Sequence, residues 1–274
     1  PGAPLIGGPT RSWLDVALYL ALVLASLRAL VAASPGVSHL LPIVLLLAAL
    51  GVRDKTIFLA ARAEHYWVTL VCFVATPHWI AGAQAVQLAL WFWAGVSKLN
   101  HHFPTVACVM TSNGPFTRWP WLRKAMYRDY PVDVRPSRLA SWMAHGGTLL
   151  EFAVPIAFVV GPLVSPGEPP LVAIVLMLAL HAYITSNVPM GVPLEWNVAV
   201  VYSGFALFWA HPTISPLSLG PPLVAAFVLG MSVALPILGN LFPSRVSFLL
   251  ARPFAEGEAR PAADLSAWSD RVRS

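Results

Sequence analysis

One face of an apolar segment near the middle of the chain carries polar side chains and ends in a lysine. Gln84, Gln87, Trp91, Gly95 and Lys98 are three or four residues apart, so on an α-helix they fall within an arc of about 80°. We predict that Lys98 projects from the inward face, where it would work on a substrate held at the membrane edge. A lysine at the end of a span also commonly extends to lipid headgroups, and the sequence leaves this role open.

Two further ionisable residues lie deep inside apolar segments. Glu151 is about nine residues past the start of a predicted helix, and His181 is about eleven from the outer end of the next, so their depths are about 13 and about 16 Å. An ionised carboxylate there costs several kcal/mol unless it is paired, hydrogen-bonded or protonated. We predict that the two side chains meet as a proton-handling pair, in which the carboxylate holds the imidazole tautomer. A purely structural pair is the alternative.

A polar vestibule is predicted at the mouth of the bundle, on the same side of the membrane as Lys98. Together with the stripe described above, it gives the candidate substrate-binding residues Gln87, Trp91, His101, His102, Glu195, Trp196 and Asn197. Adjacent histidines in an extended segment point to opposite sides of the chain, so His101 and His102 do not predict a metal site.

Common catalytic motifs are absent from the sequence. The histidines form no repeated HxxxH or HxxHH pattern, which argues against a di-iron membrane oxidase, and no GxGxxG, P-loop, GxSxG or HExxH motif occurs. Two cysteines give neither a disulfide framework nor a paired-cysteine metal site. The cofactor therefore stays unknown, with a quinone or quinol as the candidate.

Composition identifies the class of protein that must position these residues. Of the 274 residues, 57% are apolar and only 11% are charged, and the mean hydropathy is +0.69. The apolar residues come in blocks separated by short polar segments, which indicates an integral membrane protein. The net charge of +5 indicates orientation and contact with anionic lipid headgroups, and no basic groove suggests nucleic acid as a partner.

The blocks predict an all-α fold, a polytopic transmembrane bundle of about eight spans. The predicted helices cover residues 12–34, 38–52, 60–77, 79–99, 140–162, 170–188, 195–211 and 222–243. We divide the chain into a lead-in at 1–11, a transmembrane domain at 12–245 and a polar tail at 246–274.

The loops that contain lysine or arginine all lie on one side of the membrane in this scheme. Loops at 35–37, 78, 163–169 and 212–221 contain neither residue, so the positive-inside rule places both termini in the cytoplasm and the bundle in the plasma (inner) membrane. The insertion 100–139, between the fourth and fifth spans, mixes Trp, Tyr and Phe with Arg and Lys. We expect this segment on the cytoplasmic membrane surface, either as an ordinary anchor or as a lid over a site.

Three stretches in this order resemble the HTTM superfamily, which includes vitamin K-dependent gamma-glutamyl carboxylase and many bacterial relatives. They are "AGVSKLN" at 94–100, "LLEFAVPIAF" at 149–158 and "LHAYITSNVPMGVP" at 180–193. The resemblance covers roughly residues 80–200, and its motifs are short and degenerate.

The resemblance implies roles for three residues. Lys98 matches the lysine that deprotonates reduced vitamin K in the carboxylase, and Glu151 and His181 match the membrane Glu and His of the family pattern. A lysine base needs a neutral amine, which desolvation favours. Two departures argue against glutamate carboxylation: the segment after residue 245 supplies no large soluble domain, and the charges place Lys98 at the cytoplasmic rather than the lumenal face.

Two functions follow from the sequence, and it leaves open whether the chain is an enzyme. In the first, a bacterial HTTM-like membrane protein acts on or binds a lipophilic quinol or lipid, with Lys98 as base and Glu151 with His181 as the buried pair. In the second, the chain is a non-catalytic subunit or lipid-binding scaffold, whose partners are membrane lipids and other membrane subunits. A transporter is disfavoured because the sequence shows no inverted repeat.

Overall fold

The computed structural model describes residues 12–54, 57, 63–113, 119–186 and 194–242. The predicted lead-in and polar tail lie outside the described residues.

The chain begins with two packed helices, α1 (Trp13–Leu30) and α2 (Val37–Arg53). Ser12 caps α1 in a capping box, in which its side chain accepts from the Asp15 amide and the Asp15 carboxylate accepts from the Ser12 amide. The Asp15 carboxylate also lies 2.5 Å from Arg53 Nε. This ion pair joins the start of α1 to the end of α2.

The next two helices, α3 (Glu64–Ala75) and α4 (Trp79–Ser97), are antiparallel neighbours. They approach closely at Gly82, where a Cβ would lie 2.7 Å from Cys72 Sγ. The small residue therefore sets the spacing of this helix pair.

The insertion after α4 is folded and contains both helices and strands. It consists of α5 (Phe103–Asn113), α6 (Pro120–Met126) and an antiparallel hairpin of β1 (Tyr127–Asp129) and β2 (Asp133–Pro136). Within the described ranges this hairpin is the only β-structure. The all-α fold class is therefore confirmed apart from two short strands.

The helix α7 (Arg138–Val164) follows the hairpin and is capped by Ser137, whose side chain accepts from the Ala140 amide. Ala140 packs with Cys108 and Met126 in a small core. These contacts attach the insertion to the bundle. A short loop then leads to α8 (Leu171–Thr185).

Two helices of the second half contain a π-helical stretch, in which the wider turn carries i to i+5 hydrogen bonds. The helix α9 (Leu194–Ser203) continues as the π-helix Gly204–Trp209. The last described helix, α10 (Pro222–Leu241), contains the π-helix Gly230–Ala234. Neither stretch is predicted by the apolar pattern of the sequence.

Both π-helical stretches accept hydrogen bonds from α4. Gln84 Nε2 donates to the Leu207 carbonyl at 2.8 Å, and Trp93 Nε1 donates to the Ser232 carbonyl at 2.7 Å. The second half of the chain is thus anchored on α4 by side-chain donors that reach backbone acceptors.

The largest buried core lies where α4, α7, α8 and α9 meet. It consists of Leu90, Trp91, Val154, Phe158, Ala173, Ile174, Met177, Leu180, Val200 and Phe208.

Helices occupy all eight segments predicted to be spans, but fewer are long enough to cross a membrane alone. In the described part of the chain, four helices have the length and apolar composition of a span: Trp13–Leu30, Trp79–Ser97, Arg138–Val164 and Pro222–Leu241. Shorter apolar helices are Val37–Arg53, Phe103–Ser112 and Leu171–Thr185. The transmembrane class is supported, whereas the count of eight spans and the surface location of the insertion stay predictions.

Candidate functional site

An ion pair joins the end of α4 to the middle of α7. Lys98 Nζ lies 2.5 Å from Oε1 and 2.7 Å from Oε2 of Glu151. The Glu151 side chain is only 4% exposed and that of Lys98 is 26% exposed. Lys98 therefore pairs with a buried carboxylate, instead of extending away from the bundle to the headgroups.

The surroundings of Lys98 occupy the rest of its ammonium group. Its Nζ also lies 3.4 Å from the Ala94 carbonyl, and the ring centroid of Phe103 is 5.7 Å away. An ammonium group has three protons, and two Glu151 oxygens with the Ala94 carbonyl supply three acceptors. The charged form is thus fully hydrogen-bonded, with an aromatic ring at cation–π distance.

His181 lies in a separate chain of hydrogen bonds that crosses three helices. Trp91 Nε1 on α4 donates to His181 Nε2 at 3.1 Å, and His181 Nδ1 lies 2.8 Å from Asn197 Oδ1 on α9. An indole nitrogen is a donor only, so His181 Nε2 must accept and Nδ1 must carry the proton. This assigns a neutral imidazole that donates to Asn197.

Buried aromatic rings pack beside the Trp91–His181–Asn197 hydrogen bonds. Trp91 stacks on Phe158 with centroids 5.2 Å apart and planes inclined by 13°. Phe158 in turn lies 4.3 Å from Phe208, centroid to centroid. All three rings are buried, so the Trp91–His181–Asn197 hydrogen bonds lie in an apolar environment that strengthens them.

The sequence of α4 aligns both groups of residues on one face. Trp91 and Lys98 are seven residues apart, which is about two turns. Between them, Gly95 allows α7 to come close, because a Cβ there would lie 3.0–3.1 Å from three ring carbons of Phe152. Glu151 immediately precedes Phe152 in the sequence. The close approach of the two helices therefore brings the Glu151 carboxylate to Lys98.

The predicted pairing of Glu151 with His181 differs from the arrangement found. The hydrogen bonds of Glu151 go to Lys98, and those of His181 go to Trp91 and Asn197. Comparable depth was the basis of the prediction, but depth does not determine the direction in which a side chain leaves its helix. The nearest ionisable partner of Glu151 is instead supplied by the end of α4.

The two adjacent histidines also differ from expectation. They lie in a turn rather than an extended segment, and the rings of His101 and His102 are 3.6 Å apart between centroids. Asn100 organises this turn. Its Oδ1 accepts from the amides of His102 and Phe103 at 2.9 Å, and its Nδ2 donates to the Ser97 carbonyl. Asn100 thereby positions Phe103 beside Lys98.

The remaining vestibule residues divide between two places. Asn197 joins His181, as described above, whereas Trp196 stacks on His65 with centroids 5.4 Å apart. Glu195 is exposed at the start of α9. His65, on α3, was not predicted, because a single histidine in an amphipathic run gives no distinctive pattern.

Gln87 lies deeper along α4, about three turns before Lys98. Its side chain is buried and makes no hydrogen bond to any residue in the described ranges. It therefore stands apart from the ion pair, together with Gln84.

Comparison with known proteins gives one match. No curated protein and no solved structure matches the chain significantly. A family model described as a transmembrane protein of unknown function (DUF3556) matches residues 2–259, and the chain therefore belongs to that family.

Proposed function

We propose that this membrane protein binds and acts on a lipophilic substrate, such as a quinol or a lipid with an acidic hydroxyl group, at the membrane edge. The observation that carries the proposal is the Lys98–Glu151 pair, in which a partly exposed amine is held by a buried carboxylate. In such a pair the lysine amine can act as a base, and the carboxylate can accept the proton that the amine must first lose. The proposal includes an HTTM-like arrangement of these helices, which the sequence resemblance suggests.

The chemistry begins with proton transfer inside the pair. Withdrawal from water disfavours two charges, so the neutral amine and carboxylic acid come closer in free energy to the ion pair. The proton moves from Lys98 Nζ to Glu151, which leaves a lone pair on the amine. The amine then removes the proton from the substrate hydroxyl, and the resulting ammonium ion lies beside the new oxyanion while Glu151 stays protonated.

His181 has a positioning role in this proposal. Both of its ring nitrogens are engaged, so it orients Trp91 and Asn197 rather than exchanging protons with Glu151. Trp91 lies two turns from Lys98 on the same face of α4. The apolar part of a substrate would pack against Trp91 and the residues bonded to it.

The proposed setting is a bacterial inner membrane, crossed eight times, with both termini in the cytoplasm and the insertion at the membrane surface. Exposed Trp119 and Trp121, stacked with centroids 5.8 Å apart, support this location for α6. Arg123 and Lys124 on the same short helix are exposed as well. Aromatic rings and cations together are typical of headgroup depth.

A non-catalytic subunit or lipid-binding scaffold is the second candidate. It is favoured by the exposure of α1, because only 6% of the residues of this helix are buried within the chain. Such an apolar surface fits either lipid or a neighbouring membrane subunit.

The first prediction tests whether the Lys98–Glu151 pair holds the lipophilic molecule. Lys98→Met and Glu151→Gln each remove one member of the pair, and we expect about a tenfold loss of the lipophilic molecule retained on purification in mild detergent. Mass spectrometry of extracted quinones and lipids measures the loss, and gel filtration checks the fold.

Lys124→Met is the matched control, because it removes an exposed lysine distant in sequence from the pair. If wild type, control and both variants retain the same molecules in equal amounts, the proposed site is wrong and the scaffold is the better function.

A further inference from the structure

The only two glutamines of the chain lie one turn apart on the inner face of α4. Gln84 is 1% exposed and Gln87 is 6% exposed. Residues three apart on a helix are neighbours on one face, with Cβ atoms about 5–6 Å from each other. The two amides therefore border the same small region of the interior.

One polar atom of each amide has no protein partner in the described part of the chain. Gln84 Nε2 donates to the Leu207 carbonyl, a bond that fixes the amide orientation, because a carbonyl can only accept. This leaves Gln84 Oε1 as an enclosed acceptor, and Gln87 Nε2 is an enclosed donor without a partner.

Unsatisfied atoms of this kind are costly in a membrane bundle. A buried polar group that loses its hydrogen bonds to water and gains none costs free energy, and hydrocarbon offers no replacement. An apolar residue such as Met would fill the position of Gln87 without this penalty. The presence of two such amides side by side therefore points to a ligand.

The chemistry of the two atoms defines the ligand. The two atoms offer one acceptor and one donor. A hydroxyl group matches both, because its oxygen can accept one hydrogen bond and donate another. We propose that Gln84 Oε1 and Gln87 Nε2 together bind a hydroxyl oxygen, which accepts from Gln87 and donates to Gln84. The hydroxyl belongs either to a buried water molecule or to an alcohol group of a lipophilic ligand.

This hydroxyl site is independent of the base at Lys98. Gln87 is four residues before Trp91, so the hydroxyl lies one turn beyond the Trp91–His181–Asn197 hydrogen bonds and on the far side of them from Lys98. The π-helix at Gly204–Trp209 contributes the Leu207 carbonyl that orients Gln84. The site thus uses a local irregularity of α9 that the first proposal does not need.

Selective labelling gives a direct test, because the two glutamines give only two side-chain ¹⁵N resonances, each with a pair of amide protons. Protein with ¹⁵N in the glutamine side chains, reconstituted in lipid nanodiscs made of lipids without alcohol groups, is examined by NMR. We expect the Gln87 amide protons at a downfield, hydrogen-bonded position, with a cross-peak to water. The same shift with a cross-peak to ligand protons, and none to water, assigns an alcohol instead.

A stability measurement gives the second readout. Gln87→Met removes the donor to the hydroxyl, and we expect Tm to fall by about 3 °C. Leu88→Met, a neighbouring substitution on the same helix, is the control and should leave Tm nearly unchanged. Gln87 amide protons without a hydrogen-bonded shift, together with a higher Tm for Gln87→Met, would overturn the proposal. Either result stands whether or not Lys98 proves to be a base.

Discussion

Single residues in the bundle have their proton positions determined by their neighbours. Trp91 can only donate, so His181 must accept on Nε2 and carry its proton on Nδ1, where Asn197 receives it. Lys98 and Glu151 similarly satisfy each other, with two short hydrogen bonds. Lys98 with Glu151, and Trp91 with His181 and Asn197, are thus two hydrogen-bonded sets, and removal of one member leaves a polar group of that set without the bond shown here.

The second prediction concerns Asn197. Replacement by Leu removes the acceptor of the His181 Nδ1 proton and leaves a buried donor unpaired, so we expect the free energy of unfolding to fall by about 1–3 kcal/mol. Denaturation in SDS–detergent mixtures measures it. Val198→Leu, at an exposed position of the same helix, should have little effect. Equal stability of the two variants would mean that Asn197 does not hold the imidazole.

At the scale of elements, the contact between α4 and α7 depends on the missing side chain of Gly95. The Phe152 ring lies 3.0–3.1 Å from the place where a Cβ would be, and the neighbouring Glu151 reaches Lys98 across this contact. Helix spacing and the geometry of the ion pair are thus linked.

The third prediction follows from this contact. Gly95→Ala pushes the Phe152 ring away and separates the helices, and we expect a loss of about 1–3 kcal/mol in unfolding free energy. Gly147→Ala on α7 is the matched control, because no atom lies within 4 Å of its added Cβ. It should be neutral or should stabilise by up to about 1 kcal/mol through helix propensity. The same unfolding assay decides, and a neutral Gly95→Ala would contradict the close packing.

The positions of helices could be predicted from the sequence because apolar runs and their Pro and Gly breaks are local signals. The same local signals could not predict the π-helices at Gly204–Trp209 and Gly230–Ala234, which depend on contacts with α4. Glu151 and His181 were identified from their unusual depth, and Lys98 from its position at the end of a polar stripe. Their actual partners were not, because helix rotation and interhelical register are set by tertiary packing such as that of Gly95 on Phe152.

At the scale of the whole molecule, the two ends of the bundle are distinguishable. Lys98, the insertion and the start of α7 lie at one end. The loop before α10 lies at the other, where a Cβ on Gly220 would be 3.1 Å from atoms of Thr76 and His78. Exposed residues at each end can therefore report the orientation of the bundle in the membrane.

The fourth prediction uses this separation. Val132, in the hairpin, and Leu217, in the loop before α10, are both highly exposed. We expect Val132→Cys to react with a membrane-impermeant maleimide only in inside-out vesicles, and Leu217→Cys only in right-side-out vesicles. The native Cys72 and Cys108 are buried, so the unsubstituted protein is the low-background control. Labelling of both variants from one side would rule out the proposed topology.

The polar side chains of α4 have a consequence for biogenesis. Gln84, Trp91, Trp93 and Lys98 all find their partners on helices that the ribosome produces later. These hydrogen bonds between helices can form only once the later helices are present. The polar contacts of α4 are therefore complete only when the second half of the chain has been made.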